Sequence, residues 1–160
     1  ETFDQVLRVT FLDEDGVIRT RERDEILANY RDVRELRRNF ALQAVFKGKP
    51  DTAENIQERW QESRDKRKSS QPIQASAGCT FKNPEQSPAG KLIDELGLKG
   101  EAVGMAAVSD THGNFVVNQG GATASEVLQL IENIRKKARE QAGIELDTEI
   151  KILGEDSPQF

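Results

Sequence analysis

One cysteine and one histidine occur among 160 residues, and each scarcity excludes a class of chemistry. A lone cysteine permits no intrachain disulfide and no multi-cysteine zinc site, which fits a reducing, cytoplasmic compartment. The lone histidine, His112, has no second imidazole and no cysteine-rich neighbourhood, so no metal is expected. No apolar run approaches the roughly 20 residues of a membrane span, and no secretory leader is visible. No membrane partner is expected. Excess positive charge is missing too: the formal net charge is −5, so counterion release offers no drive toward a polyanion and no nucleic acid partner is expected. Neither GKLIDELGLKG (Gly90 to Gly100) nor any other stretch supplies Gly-x4-Gly-Lys-Ser/Thr, and no dinucleotide fingerprint appears. The chain also lacks an initiator Met, and Glu1 leads almost directly into a strand-like pattern, as in a processed chain or an excised fragment.

What is present describes a polar globular chain, 36% hydrophobic and 32% charged, with room for long solvated helices. Its length suits about one domain and a proper core. Basic residues cluster in RDVRELRR (Arg31 to Arg38) and RDKRK (Arg64 to Lys68). Solvated faces are the first reading of both runs, local phosphate contact the second.

Periodicity divides the chain. Leu7, Val9 and Phe11 alternate as in a half-buried strand, and Asp13-Glu-Asp-Gly16 turns it into a partner at Val17-Ile18. Phe40, Leu42, Ala44 and Phe46 mark a third strand. Asp51 as N-cap with Glu54 opens a helix running to about Lys68, and Ser69-Ser-Gln-Pro72 breaks it at a domain boundary. Beyond lie a short strand at Thr80 to Lys82 and a helix opened by Ser87-Pro88, with Ala89, Leu92, Ile93 and Leu96 on one face before Gly97. Two strand-like runs, Val103 to Val108 and Asn114 to Asn118, form a hairpin around Ser109 to Gly113. A helix capped by Thr123 and Glu126 follows, with Val127, Ile131, Ile134 and Ala138 buried, and Ile150 and Ile152 alternate in a final strand. The fold class is α+β.

Taken singly, the candidate residues are ambiguous. Cys79 reads first as a small hydrophobe and second as a reagent, His112 first as a turn residue bonding the backbone, and Glu149 first as a solvated carboxylate. Gly120-Gly121 at a helix start offers N–H groups to an anion or makes a plain turn.

Read in order, YRD (Tyr30 to Asp32), QP (Gln71, Pro72), SAGCTFKNP (Ser76 to Pro84), AGKLID (Ala89 to Asp94), LKG (Leu98 to Gly100), HGNFVVN (His112 to Asn118) and ELDTEIKILGE (Glu145 to Glu155) form one pattern. It resembles the C-terminal portion of the UDP-N-acetylenolpyruvoylglucosamine reductase (MurB) family, in the form lacking the extra tyrosine-bearing loop. The resemblance implies a flavoenzyme of peptidoglycan precursor synthesis, in which NADPH reduces FAD and hydride passes to UDP-N-acetylglucosamine enolpyruvate. It implies Cys79 as the proton donor, Arg31 holding the substrate carboxylate, and Glu149 opposite it. Tyr30, Lys82, Asn83 and, in second rank, His112 would contact substrate. Val33 and Gly113 depart from a usual serine and alanine.

By the same comparison residues 1–70 are the remnant of a flavin-binding domain, strands plus one long helix, and residues 71–160 a small α+β substrate-binding domain. The glycine-rich loops that cradle FAD in the family have no counterpart here, so no cofactor-binding residue is assigned and the chain by itself is expected to be inactive. The alternative is a stand-alone UDP-sugar binding module without redox activity. The oligomeric state is not legible.

Overall fold

The structure, a computed structural model, describes residues 2–154. Glu1 and Glu155, the last residue of the ELDTEIKILGE pattern, lie outside the described residues, as do residues 156–160. The architecture is mixed α+β, and the chain divides into two compact units between Ile56 and Gln57.

The first unit is built on a three-stranded antiparallel sheet, ordered β2-β1-β5, of β1 (Val6–Leu12), β2 (Ile18–Glu22) and β5 (Phe40–Phe46). The Asp13–Gly16 turn is as expected. Gly16 takes φ +75, and the Asp13 carboxylate accepts the N–H groups of Asp15 and Val17 at 3.1 and 2.8 Å. The alternation is not. A β-bulge between Val6 and Arg8 puts the side chain of Leu7 out at 45% exposure, so Val6, Val9 and Phe11 face the core with Ile26. One inserted residue reverses the face of everything before it. Between these strands, β3 (Ala28–Asn29) and β4 (Asp32–Val33) make a small hairpin with Tyr30 and Arg31 at its tip.

Helix α1 (Ala53–Ser70) crosses the division and buries no side chain. Thr52, not Asp51, caps it: the Thr52 hydroxyl accepts the Asn55 N–H at 3.3 Å, while Asp51 accepts the Thr52 N–H.

In the second unit β6 (Ala75–Cys79), α2 (Ala89–Glu95), β7 (Ala102–Val103), β8 (Ala106–Val108), β9 (Phe115–Asn118) and α3 (Ala124–Ala142) follow in turn. The sheet is antiparallel, ordered β6-β9-β8-β7, and Phe81, Ile93, Leu130, Ile134 and Leu146 are buried in its core with α2 and α3. Helix α3 matches its sequence signals. Thr123 and Glu126 close a reciprocal capping box, and Gly143 ends the helix at φ +66. Left-handed backbone there costs glycine nothing in Cβ clash.

In this unit three further expectations are corrected. The strand lies at Ala75–Cys79 rather than Thr80 to Lys82, where only the Phe81–Thr148 bridge forms. Ile150 and Ile152 lie outside any strand, Ile152 half exposed. Helix α2 starts after Pro88 and takes its cap from farther away: Asn83 Oδ1 accepts the Ala89 N–H at 3.0 Å, while the Ser87 hydroxyl is buried with no partner.

Candidate functional site

Cys79 ends β6, paired with Phe115 of β9, after a bulge between Ser76 and Cys79 that passes through Gly78 at φ +85. A bulge re-aims the side chain that follows it. The backbone beyond it is then held on both sides. Thr80 N–H donates to the Asn114 carbonyl at 2.8 Å, and the Glu149 N–H donates to the Thr80 carbonyl at 2.8 Å. Lys82 N–H donates to the Asp147 carbonyl at 2.8 Å. Glu149, seventy positions beyond Cys79 in the sequence, is thus one hydrogen bond from the residue that follows the cysteine.

As a result Cys79 and Glu149 line a single open cleft of about 360 Å³, together with Arg67, Gln71 and Phe115. The thiol is half-buried and not in a disulfide. A second cleft of about 380 Å³ begins at the same cysteine and is lined by Asn83, Lys91, Lys99, His112 and Asn114. In it Lys99 pairs with Asp94 at 2.7 Å and Lys91 with Glu95 at 3.6 Å. The His112 ring meets Phe115 edge to face at 4.9 Å, and its Nδ1 accepts the Asn114 N–H at 3.1 Å. Neutral imidazole with Nδ1 as acceptor carries its proton on Nε2. His112 thus bonds its own turn, as one reading expected, and also lines a cleft with Cys79 and Asn83.

Lys82 is exposed and anchored only through its backbone N–H in the contacts above. Tyr30 and Arg31 belong to the first unit. There Arg31 adopts φ +56, the left-handed region, and its guanidinium lies 5.3 Å from the Tyr30 ring centroid. Arginine in left-handed backbone is a costly choice at a turn where glycine or asparagine is the usual occupant.

The Gly120-Gly121 segment is closed as a turn, with two of the turn's N–H donors taken. Asn118 Oδ1 accepts the N–H groups of Gly120 and Ala122 at 2.8 and 3.0 Å, so those donors are already used within the turn. The described glycines offer no phosphate-binding run suited to a flavin diphosphate. What periodicity and spacing missed is Arg67. In the sequence it reads as helix-end charge balancing the α1 dipole, and only the fold sets it in the Cys79 cleft. Gln71, on the same cleft wall, was legible only as part of a motif.

A thiol, a carboxylate and a guanidinium around one cleft form a candidate proton-transfer site for an anionic ligand. The family model described as UDP-N-acetylenolpyruvoylglucosamine reductase, C-terminal domain, matches residues 71–153. The UDP-N-acetylenolpyruvoylglucosamine reductase of Bacillus pumilus is 41% identical over 155 residues, which are 95% of this chain and 51% of the relative. A shorter relative of the same name from Bacillus licheniformis is 40% identical, with 94% of this chain and 83% of the relative covered. The crystal structure of UDP-N-acetylenolpyruvylglucosamine reductase from Thermus caldophilus superposes with a TM-score of 0.80 at 36% identity, covering 93% of this chain and 53% of that one. The chain belongs to the UDP-N-acetylenolpyruvoylglucosamine reductase family. It spans about half the length of the Bacillus pumilus relative.

Proposed function

We propose that this chain supplies the substrate-protonating half of a reductase that converts UDP-N-acetylglucosamine enolpyruvate to UDP-N-acetylmuramate in peptidoglycan precursor synthesis, in the cytoplasm. In the family reaction NADPH and FAD supply the hydride. A hydride added to the enolpyruvyl methylene carbon makes it a methyl group and leaves the electron pair of the double bond on the neighbouring carbon, conjugated with its carboxylate. Cys79 donates a proton to that carbon and is left as thiolate, which solvent reprotonates. An ordinary thiol, with a pKa of about 8.5, is mostly protonated at neutral pH and needs no activation for this role. Arg31 holds the substrate carboxylate as charge builds on it, and Glu149 positions or shares the mobile proton. Asn83, Lys82, Tyr30 and His112 contact the nucleotide-sugar. Residues 1–70 are read as the tail of the flavin-binding half and 71–160 as the substrate domain.

The observation that carries the proposal is the shared Cys79–Glu149 cleft in a chain of this family. The strained Arg31 backbone adds support, since costly conformations persist where function requires them. In a full-length reductase carrying this chain as its second half, Cys79→Ala is expected to leave flavin reduction by NADPH intact. Reoxidation by substrate should slow by about 10²–10⁴-fold, and Cys79→Ser should retain most of it. Stopped-flow absorbance of the flavin separates the two half-reactions, and unchanged reoxidation in Cys79→Ala removes the proposal. The 160-residue chain by itself is expected to show no NADPH oxidation and no saturable FAD binding.

A further inference from the structure

We infer that Asn114 is the positioning residue that fixes Cys79 relative to Glu149. Its side chain is 2% exposed and takes the place of the next strand residue where the β6–β9 ladder stops. Asn114 Oδ1 accepts the Phe81 N–H at 2.9 Å, and Asn114 Nδ2 donates to the Phe81 carbonyl at 2.8 Å. Its backbone carbonyl accepts the Thr80 N–H at 2.8 Å. One residue thus holds three backbone polar groups of the two residues that follow Cys79. The opposite side of the same segment carries Glu149, through its N–H on the Thr80 carbonyl, and Asp147, through the Lys82 N–H.

The chemistry of the amide makes the choice specific. Phe81 presents one donor and one acceptor, and only a side chain with both an oxygen acceptor and an N–H donor satisfies the two together. An aspartate keeps the acceptor but sets a second oxygen against the Phe81 carbonyl, and an alanine leaves both backbone groups buried without partners. Losing the clamp frees the Thr80–Phe81 segment, which ties the backbone of Glu149 to the residue that follows Cys79, and the two then shift relative to one another. His112 Nδ1, accepting the Asn114 N–H, holds the clamp from behind.

The inference rests on the reading of Cys79 and Glu149 as a working pair, but its test does not. Amide hydrogen exchange by NMR is measured on the 160-residue chain for the native protein, Asn114→Ala, Asn114→Asp, and Ile134→Val as a control that weakens the α3 core. Both Asn114 variants are expected to speed exchange at Phe81, Lys82 and Glu149 at least tenfold more than at Leu130 and Ile131. Alkylation of Cys79, the sole thiol, should quicken at least threefold, while Ile134→Val speeds all these amides by one common factor. If Asn114→Ala does not fold, Asn114→Asp, which retains the acceptor for Phe81, carries the test. Acceleration equal at Glu149 and Leu130, or an unchanged Glu149 amide, overturns the inference. A confirmed clamp around a Cys79 that proves dispensable for reoxidation would sink the functional reading alone.

Discussion

The role proposed for Arg31 sets function against stability at a single backbone angle. Left-handed geometry costs a residue with a Cβ roughly 1–2 kcal/mol more than a right-handed one, and glycine is largely exempt. Arg31 sits at φ +56 nonetheless, in the two-residue loop of the β3–β4 hairpin, where the turn calls for a positive φ that glycine or asparagine meets more cheaply. Replacing it with glycine is expected to stabilise the folded chain by about 0.5–1 kcal/mol, the strain relief less the added freedom of the unfolded glycine. The midpoint of urea unfolding measures this. In a full-length reductase the same change should slow substrate-dependent flavin reoxidation about 10²-fold by removing the guanidinium from the developing charge. Loss of stability together with activity would mean that the arginine is structural.

At the scale of elements, the contact between α2 and the 109–114 turn sets helix propensity against packing. A Cβ on Gly90 would lie 2.8 Å from His112 Cε1, and one on Gly113 would lie 2.6 Å from the Gly90 carbonyl. Gly113, with no Cβ, lets helix and turn close on one another. Gly90→Ala gains up to about 1 kcal/mol of helix propensity, but the imidazole is held by its bond from the Asn114 N–H and cannot swing away. Overpacking of about 1–3 kcal/mol should therefore win, for a net loss of about 1 kcal/mol. In a His112→Ala background the sign reverses and Gly90→Ala becomes stabilising; a double-mutant cycle in urea reads both. At α3 the Thr123 N–H donates to the Glu126 carboxylate at 2.8 Å and holds its pKa below the ordinary glutamate range, against a smaller opposing effect of desolvation. A carboxyl with a lowered folded pKa adds stability above the unfolded glutamate range and loses it as the pH falls through the lowered value. The first turn of α3 should therefore lose amide protection in acid before its middle does, and Glu126→Gln should flatten that dependence.

These elements also show which signals the sequence carries. Helices α2 and α3 were legible because periodic apolar residues and terminal glycines agree with each other, and the Asp13–Gly16 hairpin because its turn chemistry is local. Strand β6 was not, since Ala75, Ser76 and Ala77 have no apolar rhythm and become a strand only by pairing with β9. Leu7 broke its pattern because a bulge is a property of the pair, not of one strand. Cys79 and Glu149 were named through family resemblance. That they share a cleft follows from two hydrogen bonds to Thr80, and long-range backbone contacts of that kind leave no periodicity to read. Arg67 was hidden for the opposite reason, because its local surroundings already explain a cation at a helix end.

The two units differ in how much core each encloses. Among the described residues the first buries Val6, Val9, Phe11 and Ile26, whereas the second buries a cluster of thirteen that includes Phe81, Ile93, Leu130, Ile134 and Leu146. The first unit also leaves large apolar side chains in water on β5, with Phe40 at 71%, Leu42 at 53% and Phe46 at 54% exposure. Stability follows buried apolar surface, and each unit has a core of its own, so cooperative unfolding should occur in two steps. Calorimetry is expected to show a small, low-temperature transition followed by a larger one. Tryptophan cannot tell them apart cleanly, because Trp60 is 56% exposed on a helix that buries nothing; the amides of Val9 and Ile134 can. Val9 should lose its exchange protection in the first transition and Ile134 only in the second, and Phe11→Ala should lower the first by several degrees while leaving the second in place. A single transition in which Val9 and Ile134 lose protection together would show that the small core draws its stability from the large one.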